Sequence, residues 1–141
     1  MSSKEYEEYC LSKIEDKLEK DNSIAAFVME SGAQMAGGVI IYPKNFQKRI
    51  SQICKKNDVL FVLDEIATGF GRLGSMIEYQ SQNSTPDIVS FGKMLTGGYQ
   101  TFAATLTTKK SMIHFLVNSP NSNISSMVIP IPEILRLRLY R

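Results

Sequence analysis

Tyr6, Tyr9, Cys10, Ile14 and Leu18 recur at steps of three and four through an otherwise polar stretch from about Glu5 to Lys20. That period puts them on one stripe, so the segment reads as a surface helix burying a single face, ended by Asp21-Asn22-Ser23. The pattern then changes. Ile24 to Met29 is an unbroken apolar run that stops at Glu30, and so short a run without alternation marks a strand covered on both faces. Ser31 to Gly38, with three glycines, reads as a loop. Pro43 opens a second helix, expected to reach about Asn57, with Phe46, Ile50, Ile53 and Cys54 on one side and Lys44, Lys48, Arg49 and Lys55 elsewhere.

Val59 to Leu63 is a second buried strand, and Ile88 to Phe91, introduced by Pro86-Asp87, is a third. Strand, helix, strand predicts an α/β fold with a mostly parallel sheet and flanking helices. Thr101 to Thr108 suits a further strand and Lys109 to Leu116 a short helix. From Val117 to Arg141 the chain turns rich in Asn, Ser and Pro, with Pro120, Pro130 and Pro132 breaking any long element. Residues 1–116 therefore read as one domain and residues 117–141 as an atypical tail.

With 141 residues, 43% hydrophobic and 21% charged, the chain is long enough to bury one core. Its net charge of +2 is small, and Arg136, Arg138 and Arg141 crowd the tail, so no basic face for nucleic acid is expected. No stretch reaches the roughly 18 apolar residues of a membrane span, and the charged N-terminus has no apolar signal core, so the expectation is a cytoplasmic protein. Cys10 and Cys54 lack the close Cys/His spacing of a zinc site and read as reduced thiols.

In α/β folds, ligands sit beyond the carboxyl ends of parallel strands, which directs attention to Glu30, Asp64 and the segment after Phe91. Asp64 ends an apolar strand, where a carboxylate needs a cation or donor to meet it. The protonated ring nitrogen of pyridoxal 5'-phosphate is such a partner, and a carboxylate within about 4–6 Å typically raises that nitrogen's pKa by one to three units. Ile66, two residues on and on the same side of an extended backbone, would pack on one ring face. Lys93, in Gly92-Lys93-Met94-Leu95-Thr96-Gly97-Gly98, would bond the cofactor aldehyde and move the substrate proton, aided by burial that disfavours its charged form. Gly97 and Gly98 would leave room for backbone close to the cofactor.

Each residue also has a plainer reading. A lysine after a strand is ordinarily a solvated surface group, and an acid at a strand end is ordinarily a helix cap or half of an ion pair. Gly69-Phe70-Gly71-Arg72-Leu73-Gly74 fits the literal G-x-G-x-x-G dinucleotide pattern, but four residues separate it from the strand and the residues after it are weakly helical. His114 has no acid or cysteine partner nearby and reads as structural, and the scattered methionines need no cofactor to explain them.

The run Phe61-Val62-Leu63-Asp64-Glu65-Ile66-Ala67-Thr68-Gly69-Phe70-Gly71-Arg72-Leu73-Gly74, with Pro86-Asp87-Ile88 and Gly92 to Gly98, resembles the class III aminotransferases. The resemblance implies part of the large domain of the fold-type I transferase fold, with pyridoxal 5'-phosphate as cofactor. It implies Asp64 on the pyridine nitrogen, Ile66 on the ring, Lys93 as the lysine that bonds the cofactor, and Glu30 as a supporting loop glutamate. Ala67 and the run Ala103 to Thr108 are similar to the biotin-pathway branch of that family. That branch takes an amino group from S-adenosylmethionine to 8-amino-7-oxononanoate, whereas ornithine and 4-aminobutyrate enzymes usually carry glutamine where Ala67 stands. The resemblance also implies a homodimer.

The likeness runs from about Ser23 to Leu116. The family's glycine-serine phosphate cradle would lie upstream, its carboxylate-reading arginine downstream, and residues 118–141 lack its expected His-Gly-Pro-Thr-type segment. The expectation is thus an incomplete copy with a tail foreign to the fold, poorly soluble because strand edges are left open. A non-catalytic remnant is the reading from another class.

Overall fold

The computed structural model describes residues 2–109 and 111, and the backbone of the strand at 128–130. The expected helix over Lys109 to Leu116, His114 and most of the tail lie outside the described residues.

Helix α1 (Ser3–Lys20) begins with a capping box, in which Ser2 Oγ accepts from Glu5 N and Ser2 N donates to Glu5 Oε2 at 2.7 Å. Lys17 and Lys20 in its last turn complement the helix dipole. Its buried stripe is displaced from the expected one. Leu11 and Leu18 are buried, with Ile14 packed beside them, whereas Tyr6 is 57% and Tyr9 52% exposed. The two stripes share Ile14 and Leu18, and the position of the neighbouring helix decides between them.

That neighbour is α2 (Phe46–Lys56), which buries Ile50 and Cys54 against the sheet. Pro43 does not start it; Pro43 O accepts from Phe46 N at 3.1 Å in a turn, and the helix follows Asn45. Arg49 pairs with Glu8 at 2.5 Å, and Lys56 with both Glu15 and Glu19 at 2.8 Å, tying the exposed sides of the two helices together.

The strands are β1 (Ala26–Glu30), β2 (Ala33–Gln34), β3 (Ile40–Ile41), β4 (Leu60–Asp64), β5 (Ile88–Phe91), β6 (Ala104–Thr107) and β7 (Val128–Pro130). The main sheet has the order β1-β4-β5-β6-β7 and is parallel except where β5 meets β6. The expected loop at 31–38 instead holds β2, which pairs antiparallel with β3. Between β4 and β5 lies a single turn, α3 (Glu78–Ser81), and a 3₁₀ turn at Lys93–Leu95 follows β5.

Alternation within the strands divides the sheet into two unlike faces. Phe61, Leu63, Val89, Phe91 and Leu106 are almost fully buried in the cluster that includes Leu11, Ile50 and Cys54, each such side chain stabilising by roughly 1.5–3 kcal/mol. The opposite face carries Val28, Val62 and Ile88 in one row across β1, β4 and β5. Val28 is 65% exposed, so β1 is not covered on both faces as its unbroken apolar run predicts. The reason is that the described helices pack on one side only.

Candidate active site

Strand pairing aligns the acids at the strand ends. Glu30 stands opposite Asp64, and Asp64 opposite Ser90, so the carboxyl ends of β1, β4 and β5 finish level. Beyond them lies a cavity of about 350 Å³ lined by Glu30, Met35, Ala36, Asp64, Ile66, Ala67, Arg72 and Lys93. Asp64, Ile66 and Lys93, chosen from sequence, thus border one space of a size usual for small-molecule sites.

Asp64 is half-buried and its Oδ1 accepts from Ile66 N at 2.8 Å, turning the chain sharply at the strand end. Among the described residues Oδ2 has no hydrogen-bond partner, which leaves one carboxylate oxygen for a ligand. Glu30 is engaged differently, its Oε2 accepting from Met35 N at 2.8 Å and its Oε1 from Ala36 N at 3.2 Å. It braces the loop at the cavity wall.

Lys93 follows the buried Gly92 and adopts φ +41°, a left-handed conformation that a side-chain-bearing residue enters only under local constraint. The 3₁₀ turn holds it there through Leu95 N to Gly92 O at 2.9 Å and Thr96 N to Lys93 O at 3.2 Å. Lys93 is exposed, so the described residues do not supply the burial expected around it. Ile66 packs on this turn, because a Cβ at Gly92 would fall 3.3 Å from Ile66 Cγ2. Gly97 and Gly98, with φ +62° and +87°, serve the turn that follows and do not line the cavity.

Arg72 in the cavity wall is the residue that the sequence reading passed over. It belongs to the Gly69-to-Gly74 run, whose literal pattern suggested a nucleotide loop. In the structure Phe70 N donates to Met76 O at 2.8 Å and Gly71 N to Ser75 O at 3.0 Å, folding the run back on itself. No helix opens at its end, since α3 starts only at Glu78, so the run lacks the helix N-terminus that a dinucleotide fingerprint requires. Arg72 instead gives the cavity a second cation beside Lys93, balancing Glu30 and Asp64.

Two polar residues that the sequence reading did not place are fully buried. Gln47 donates to Ser31 Oγ at 3.1 Å and Ser84 Oγ at 2.8 Å and accepts from Gly32 N at 2.8 Å. Glu65 accepts from Glu78 N at 2.9 Å and Tyr79 N at 2.5 Å. Burial pushes the Glu65 carboxyl up, opposed by these two N–H groups and by the Ser31 hydroxyl. The signal for Glu65 was its place next to Asp64: consecutive extended residues face opposite ways, so one enters the cavity and the other the core.

Among the described residues no helix is long and apolar enough to cross a membrane, and no cluster of His, Cys, Asp or Glu could hold a metal ion.

The sequence profile of the family Aminotransferase class-III matches residues 1–123. Over 114 residues the chain is 45% identical to the adenosylmethionine-8-amino-7-oxononanoate aminotransferase of Staphylococcus aureus, which covers 80% of this chain and 25% of that relative. An (S)-enantioselective omega-transaminase from Thermomicrobium roseum aligns with a TM-score of 0.76 at 29% identity, over 90% of this chain and 28% of its own. Plasmodium falciparum ornithine delta-aminotransferase aligns with a TM-score of 0.69 at 34% identity, over 73% and 26%. The chain spans about a quarter of the length of these relatives.

Proposed function

Because the chain belongs to the class III aminotransferases, we propose that it carries the cofactor-holding core of a pyridoxal 5'-phosphate-dependent enzyme that moves an amino group from S-adenosylmethionine to 8-amino-7-oxononanoate. The convergence of Asp64, Ile66 and Lys93 on one cavity supports this reading most directly. The residues present fit the cofactor's pyridine and aldehyde ends: a carboxylate with an open oxygen, a branched apolar side chain and an amine. Bound there, the cofactor would supply a sink for the electrons freed at the carbon bearing the substrate's amino group.

The chain's own residues have distinct tasks in this reading. Asp64 keeps the proton on the ring nitrogen through its open oxygen. Ile66 holds the ring from one side, braced against the Gly92 turn. Lys93 Nζ binds the cofactor at rest, then accepts and returns the substrate proton as a general base and acid. Arg72 offers a charge to an anionic substrate group. Glu30 keeps the loop at 35–36 in place. The phosphate end would be held by residues outside this set, and the working unit would be a homodimer.

The substrate choice rests on Ala67 in the cavity wall and on the Staphylococcus aureus relative. An ornithine-type enzyme is the second reading, favoured by the 34% identity to the Plasmodium structure. Incubating the chain with pyridoxal 5'-phosphate should produce a long-wavelength absorbance band that is lost in Lys93→Ala. Bleaching by S-adenosylmethionine supports the first reading, and bleaching by ornithine or 4-aminobutyrate the second. A band that survives in Lys93→Ala, or no band at all, removes the catalytic assignment and leaves a non-catalytic remnant.

A further inference from the structure

Glu65 is fully buried, acidic, and turned away from the cavity that its neighbour Asp64 faces. Burying a carboxylate this deeply is costly unless its oxygens are met. They are met by two backbone N–H groups, Oε2 by Glu78 and Oε1 by Tyr79, 13 and 14 residues further along the chain, with the Ser31 hydroxyl beside them. The backbone of Glu65 is tied as well, its N–H donating to Ser90 O at 2.8 Å and its carbonyl accepting from Gly69 N at 2.9 Å. One residue therefore joins the end of β4, the adjoining strand β5, and both ends of the segment 66–77.

That segment supplies Ile66, Ala67 and Arg72, three of the eight residues around the cavity. Within it the ends are brought together by Phe70 N to Met76 O and Gly71 N to Ser75 O, the architecture of a compact loop whose mouth is closed. Phe70 also sets its ring edge on Phe91, centroids 5.2 Å apart, directly before the turn that bears Lys93. Glu78 is held next to the staple by Ser75 Oγ and by Gln82 Nε2, and its side chain fills the space beside Gly32. A Cβ at Gly32 would fall 2.6 Å from Glu78 Cγ, so the Glu78 side chain leaves no room for one.

We propose that Glu65 is a positioning residue for the cofactor site: by gripping the Glu78 and Tyr79 N–H groups together, its carboxylate closes the 66–77 loop and fixes Ile66, Ala67 and Arg72 around the cavity. The inference rests on the cofactor reading given above. Geometry, not charge alone, carries the effect. Glu65→Gln keeps the volume but turns a donor toward one of the two N–H groups, and Glu65→Asp keeps the charge but is one methylene too short to reach both.

The test uses the purified 141-residue chain, its Glu65→Gln and Glu65→Asp variants, and Leu11→Ala as a core variant remote from the loop. Amide exchange without cofactor should speed up in peptides from 66–79 by about tenfold or more in both Glu65 variants, because a hydrogen bond to a charged group is lost. Exchange in α1 should stay as in the parent. The dissociation constant for pyridoxal 5'-phosphate should rise about tenfold in the Glu65 variants while Leu11→Ala, though less stable, binds as the parent does. Glu65→Asp behaving like the parent overturns the staple, as does exchange that rises equally everywhere. Loosened peptides with unchanged cofactor affinity leave Glu65 structural and overturn the positioning role. A parent chain that never binds the cofactor overturns the proposed function instead, and exchange still decides the staple; a chain that exchanges fully throughout overturns both.

Discussion

Gly92→Ala tests whether Ile66 is held against a ligand. Gly92 has φ −166°, extended backbone that alanine adopts freely, so the added methyl acts through contact alone. That carbon would lie 3.3, 3.6 and 3.9 Å from Ile66 Cγ2, Cγ1 and Cβ. Carbon atoms prefer about 3.5–4.0 Å, so Ile66 must yield by a few tenths of an ångström. Its branched side chain is stiff at χ1 and moves as a unit, toward the cavity. With the cavity empty that movement is nearly free, and stability should fall by less than about 1 kcal/mol, below the usual range for overpacking. With the cofactor ring in place there is nowhere to move, and the contact should cost about 1–1.4 kcal/mol, a fivefold to tenfold weaker dissociation constant. Urea midpoints without cofactor and absorbance titrations with pyridoxal 5'-phosphate measure the two costs separately. Affinity within twofold of the parent, or affinity and stability falling in step, refutes Ile66 as the ring's support.

Two further outcomes follow from burial. Cys54 is fully buried and its thiol is pushed up to about 11, first by burial and then by the nearby Asp87 charge. Near pH 8 about one such thiol in a thousand is ionised, so N-ethylmaleimide should label Cys10 and spare Cys54 until the chain unfolds; mass spectrometry showing equal rates would contradict this core. Among the described residues, Val28 sits 65% exposed on β1 at the edge of the sheet, which presents both an apolar face and unpaired backbone groups to other chains. The parent should elute as associated species in size exclusion, and Val28→Lys should shift it toward monomer with an unchanged far-UV spectrum. A parent that runs as a compact, cooperatively unfolding monomer would show that the open face is no liability.

The site was legible to the extent that it depends on strand ends. Asp64 and Lys93 stand just beyond apolar runs, and a parallel sheet brings such positions to one edge whatever the loops do. The strands at 60–64 and 88–91 emerged close to their expected bounds for the same reason: an unbroken apolar run of four to five residues is too short for a buried helix and fits a covered strand. Arg72 was not legible, because its place in the wall depends on a loop folding back through hydrogen bonds between Phe70 and Met76 and between Gly71 and Ser75. The hairpin of β2 and β3 escaped likewise, being two residues long on each side.

From its own residues the chain determines which side chains share a face, since periods of two and of 3.6 are properties of the backbone. Tertiary structure alone decided what covers each face. It selected Leu11 over Tyr6 and Tyr9 as the buried part of α1, left Val28 open on β1, and sent Gln47 and Glu65 into the core, where donors and acceptors distant in sequence meet their polar atoms. The physical reason is that periodicity is local, whereas burial and hydrogen-bond satisfaction are settled by neighbours that a linear pattern does not name.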